Sequence, residues 1–132
     1  MYEPIRTKSV HSMADTDFPH RTREEELDIQ LAGHLAALLA VTDDLGLDEA
    51  AGLIAKQVTR LRGAAPIRAP RSAESHDDGG DSAELHRRAH ALAGRALVVA
   101  ASRADTAAAI LAAERMDAHT AALRAAPLVD AH

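Results

Sequence analysis

Two histidines four residues apart, His86 and His90, are the pair in this sequence best spaced for chemistry. On a helix that spacing points both imidazoles the same way, and two such rings can ligate one divalent transition metal. Glu84 makes a poor third ligand because it stands two residues from His86, so the rest of the sphere would come from another helix, with His34, Glu114, Asp117 and His119 as candidates. Arg87 and Arg88 flank the pair and oppose a cation there. The plainer reading is two surface histidines. No other cofactor is implied.

His34 and His119 are the second candidate pair. His34 follows Leu31 by three and precedes Leu38 by four, and His119 stands similarly beside Met116 and Leu123. Each lies at the edge of an apolar helical face. An imidazole in a pocket between helices has the right ordinary pKa for a general acid–base. The competing reading is an interfacial histidine whose nitrogens are simply hydrogen-bonded. Spacing alone assigns no partner carboxylate or nucleophile to either ring.

The remaining polar clusters carry less. Glu114 and Asp117 could pair as carboxylates, but a solvated helix face is the simpler account. Asp43-Asp44-Leu45-Gly46-Leu47-Asp48 is similar to the serine-bearing segment of acyl carrier proteins, yet Glu49 stands where the serine would carry the prosthetic arm. Gly79-Gly80 lacks the Lys and Ser/Thr of a phosphate loop. The chain has no cysteine, so disulfides, thiolate nucleophiles and thiolate-bound clusters are excluded. Its eight histidines, fully protonated, would turn a formal charge of −5 into +3.

These residues need elements to position them, and the pattern is helical throughout. Residues 1–21 have no period and read as a disordered arm. Thr22-Arg23-Glu24-Glu25 is a capping-box pattern, and Leu27, Leu31, Leu35 and Leu38 then mark one helical face ending near Thr42. Asp48 is placed to cap a second helix carrying Ala50, Leu53, Ile54, Val58 and Leu61, with Gly63 as its stop. Residues 64–81, with Pro66, Pro70 and Gly79-Gly80, read as a flexible linker. A third helix follows from Asp81 or Ser82, with Leu85, Ala89, Leu92, Ala96 and Val99 on one face. Ser102–Thr106 reads as a break. The last helix shows Ile110, Ala113, Met116 and Leu123 and stops before Pro127, leaving 127–132 as a tail.

Composition limits how such helices pack. There are 31 alanines against 15 leucines, with one Phe, one Tyr and no Trp. Alanine is the best helix former, but its methyl stabilises far less on burial than a leucine side chain. Helices should form readily around a thin core, which predicts an all-α bundle of about four helices over residues 22–126, completed by dimerisation. The acidic balance shows no basic stripe of the kind nucleic acid requires. No stretch is apolar enough to span a bilayer and no secretory signal opens the chain, so a cytoplasmic protein without membrane partners is expected.

Two segments carry a family resemblance. Leu31-Ala32-Gly33-His34-Leu35-Ala36-Ala37-Leu38-Leu39 and the helix around Ala91-Leu92-Ala93-Gly94-Arg95-Ala96-Leu97 resemble a family of small streptomycete proteins of unknown function, labelled natural-product biosynthesis proteins. The abundance of Ala, Arg, Gly and Asp suits a GC-rich actinobacterial genome. The resemblance implies a setting in secondary metabolism and assigns no catalytic residue. The leading expectation is therefore a non-catalytic helical accessory or interaction protein, with a homo-oligomer, a protein or a small molecule as partner. A small-molecule-binding or catalytic bundle using His34 and His119, and a metal-binding protein using His86 and His90, are the alternatives.

Overall fold

The structure is a computed structural model that describes residues 22–68 and 79–130, with Gly79, Gly80 and residues 126–130 as backbone. The expected N-terminal arm, most of the linker and the last two residues of the tail lie outside the described residues. The described residues form four helices: α1 (Arg23–Asp44), α2 (Asp48–Arg62), α3 (Gly79–Arg103) and α4 (Thr106–Asp130). The described residues include no strand, and none of their helices is long and apolar enough to cross a membrane.

The helix ends follow from local chemistry. At the start of α1 the Glu25 amide donates to the Thr22 hydroxyl at 3.0 Å, and the Thr22 amide donates to the Glu25 carboxylate at 2.9 Å. Both hairpin turns close with the same left-handed cap. In the first, Gly46 has φ 75°, its amide reaches the Asp43 carbonyl, and the Leu47 amide reaches that of Thr42. In the second, Ala104 has φ 60°, its amide reaches Ala101, and the Asp105 amide reaches Ala100. The Asp105 carboxylate then accepts from the Ala108 amide at 3.2 Å and caps α4. The break expected between Ser102 and Thr106 is this turn.

Several boundaries differ from the sequence reading. Leu47, not Asp48, is the cap residue of α2 and makes no side-chain cap bond; Asp48 and Glu49 instead sit in the first turn, where the helix dipole favours them. α1 continues to Asp44, two residues past Thr42, whose hydroxyl is satisfied by donating to the Leu38 carbonyl at 2.7 Å. The linker is shorter than 64–81, because α3 already begins at Gly79. Its first residues are not free either: Arg68 makes a two-pronged ion pair with Asp43 at 2.7 and 3.1 Å. α4 runs through Pro127 to Asp130. Proline there removes one hydrogen bond, but its fixed φ is itself helical.

α1 packs on α2 and α3, and α4 packs on α3 and, over a shorter stretch, on α2. The diagonal pairs α1–α4 and α2–α3 do not meet. Arg103 at the end of α3 pairs with Asp28 near the start of α1 at 3.1 Å, and Arg60 near the end of α2 pairs with Asp105 at 2.8 Å. Every packed pair is therefore antiparallel, and the chain recrosses the length of the bundle between α2 and α3.

The core is unequal. α1 and α2 bury Leu31, Leu35, Leu38, Leu39, Ile54 and Val58, whereas α3 and α4 bury chiefly Ala89, Ala93, Ala96, Ala100, Ala108 and Ala112. The buried face of α4 also differs from the expected one. Ile110 is 54 % exposed, and Ala108, Leu111, Ala112 and His119 point inward instead. With alanine on nearly every side of this helix, apolar periodicity does not fix its phase.

Candidate functional site

The small residues of the α3–α4 hairpin let the two backbones approach closely, and the turn at Ala104 sets the early turns of α3 against the later turns of α4. Counted from that turn, His86 and His119 stand at similar heights. Their Nδ1 atoms are 2.8 Å apart and their ring centroids 5.0 Å, with the planes tilted by 50°. His119 is fully buried and His86 partly exposed. One turn before His119 on α4, Arg115 places Nη2 3.3 Å from His119 Nε2.

Those contacts fix the proton positions. Arginine is a donor only, so His119 Nε2 must accept, and the neutral ring carries its proton on Nδ1. The Nδ1–H of His119 then donates to His86 Nδ1, which leaves the His86 proton on Nε2. The assignment follows from hydrogen-bond direction. It makes a one-way chain from Arg115 through His119 to His86. A neutral imidazole has one lone pair. That of His119 is taken by Arg115, and that of His86 by His119.

The electrostatics hold both rings neutral. Burial pushes the His119 pKa down to about 4, helped by Arg115, His86 and His90. Burial lowers His86 as well, with Arg115 adding to it. The Arg115 pKa is also lowered by burial, partly offset by its neighbour Glu114. Arg115 Nε is buried and has no hydrogen-bond partner among the described residues. The same side chain lines a cleft of about 340 Å³ against the first turn of α2, with Leu47, Asp48, Glu49, Ala50 and Leu53.

The structure thus pairs one histidine from each sequence candidate. His119 meets His86 on α3, whereas His34 is half-buried on α1, a helix that does not touch α4. His90 is one turn from His86 and forms no hydrogen bond with the described residues; it acts on His119 only electrostatically, helping to lower that ring's pKa. Glu114 and Asp117 are exposed on α4. Among the described residues no group of three or more His, Asp or Glu is placed to hold a metal ion. Sequence reading missed Arg115. Its signal was the spacing of Ala108, Ala112, Arg115 and His119 in steps of four, three and four, hidden by equally regular alanine patterns beside it.

No family model matches the chain, and no significant similarity connects it to a curated protein or to a solved structure.

Proposed function

We propose that this chain is a non-catalytic helical accessory protein that works by binding another protein surface. One observation carries this reading: both lone pairs of the His86–His119 pair, the only two imidazoles in contact among the described residues, are already used inside the protein. A general base needs a free lone pair on nitrogen, and a metal ligand needs the same. The half-buried Arg115 beside the pair raises the cost of any added cation. The cluster instead joins α3 to α4 through the His86–His119 hydrogen bond.

The resemblance of the Leu31–Leu39 and Ala91–Leu97 segments to streptomycete natural-product proteins supports a setting in secondary metabolism, with the chain assisting an assembly there. Calorimetric titration with zinc, nickel and copper at pH 7.5 tests the reading. The expected result is no binding heat that depends on His86. Micromolar uptake that is lost in a His86→Gln variant would overturn it.

A further inference from the structure

Among the described residues nothing packs on the face of α4 opposite the core, and that face has an ordered pattern. Ile110, Glu114, Asp117, Ala121 and Arg124 recur at steps of four, three, four and three, and all are exposed. At 100° per residue they fall within an arc of about 80°, directly opposite Ala112 and His119. That is the spacing of a helix–helix seam. Ile110 is 54 % exposed, and Ala121 leaves room for a second backbone. Glu114, Asp117 and Arg124 form no ion pair or hydrogen bond with the described residues, unlike Arg60, Arg68, Arg87 and Arg103, which each have a carboxylate partner.

The order of charges selects the partner. Both acids precede the arginine along α4. A parallel copy would set Glu114 on Glu114 and Arg124 on Arg124, which is repulsive at every step. An antiparallel copy, with its two-fold axis level with residue 119, sets Glu114 opposite the partner's Arg124. Asp117 then lies three residues, about 4.5 Å along the axis, from the same guanidinium. Each arginine would bridge two carboxylates one turn apart, twice over by symmetry. We infer that the outer face of α4 is the homodimer interface, formed by antiparallel α4 helices with Arg124 of each copy set between Glu114 and Asp117 of the other. The self-complementary arrangement is what a two-fold interface requires. The inference rests on reading the chain as an interaction protein.

Sedimentation of four samples tests it: the wild type, Arg124→Glu, Glu114→Arg/Asp117→Arg, and an equimolar mixture of the two variants. All three positions are exposed, and unchanged far-ultraviolet dichroism verifies folding. The wild type should dimerise at about 50 μM, each variant at least about tenfold more weakly, and the mixture should regain dimer. Single cysteines in this cysteine-free chain report orientation. Ala121→Cys should cross-link on mild oxidation, because two copies of residue 121 lie close to the axis. Ile110→Cys should not, because two copies of residue 110 are about 27 Å apart along it. A monomeric wild type, charge variants that dimerise as tightly as wild type, or equal cross-linking at both positions would overturn the inference. A dimer that ignores these residues would still leave the chain an interaction protein, whereas His86-dependent metal uptake would remove that reading without touching the dimer.

Discussion

Replacing His119 by glutamine should remove most of the protein's sensitivity to mild acid. Glutamine offers one acceptor to Arg115 and one donor to His86, as the neutral imidazole does, but it does not titrate. The His119 pKa is about 4 in the folded chain and about 6.5 in an unfolded one. Between those values the unfolded chain binds a proton that the folded chain does not. Stability is therefore full above pH 6.5, falls as pH drops, and levels off near pH 4. At about 1.4 kcal/mol for each pH decade, the loss comes to roughly 3 kcal/mol. His86, whose pKa is also lowered, shifts stability in the same direction. For a bundle of this size a change of roughly 3 kcal/mol moves a urea midpoint by roughly 2 M. Urea unfolding at pH 7.5, 6.5, 5.5 and 4.5 measures both proteins. The variant should cost about 1 kcal/mol at pH 7.5 and lose stability less steeply than wild type below pH 6.5. Parallel curves would rule this out, because His86 and the carboxylates, common to both proteins, would then account for all the acid sensitivity.

The two hairpin turns make opposite predictions. Ala104 occupies the left-handed position that Gly46 fills in the other turn, so Ala104→Gly should stabilise by about 0.5–1 kcal/mol and Gly46→Ala should destabilise by about 1 kcal/mol. Thermal unfolding resolves both as shifts of several degrees in Tm. The two halves of the core should also respond differently to size. Leu35→Ala opens a cavity under a fully buried side chain and should cost about 2–5 kcal/mol. Ala96→Leu forces a larger group into the closely packed α3 face and should cost about 1–3 kcal/mol; denaturant unfolding of each variant gives the comparison.

The leucine half of this protein was legible from its sequence, and the alanine half was not. Leu31, Leu35 and Leu38 stand out from their neighbours, so the buried face of α1 follows directly from spacing, and Thr22 with Glu25 marks its start. On α4 the inward Ala108 and Ala112 look the same as the half-buried Ala109 and Ala113. A helix whose faces are chemically alike has no readable phase, and its one isoleucine, Ile110, does not mark the buried side but faces out. The candidate site was lost for the same reason. His119 reads as marginal beside Met116 and Leu123 because the alanines on α4 hide its phase, and nothing in the spacing singles out Arg115. His86 was read with His90, its neighbour in sequence, whereas its hydrogen-bond partner lies across the hairpin. Only the turn at Ala104 fixes which residues of α3 and α4 share a height, and left-handed alanine leaves no sequence signature as glycine does.

The proton positions on His86 and His119 decide whether either ring has a lone pair free for chemistry. Nitrogen-15 correlation spectra of the imidazole rings at pH 7 distinguish the two neutral tautomers. His119 should carry its proton on Nδ1 and His86 on Nε2, both rings neutral. A protonated His119, or a His119 ring carrying its proton on Nε2 with Nδ1 free, would contradict it, because a lone pair would then be open for catalysis or a metal.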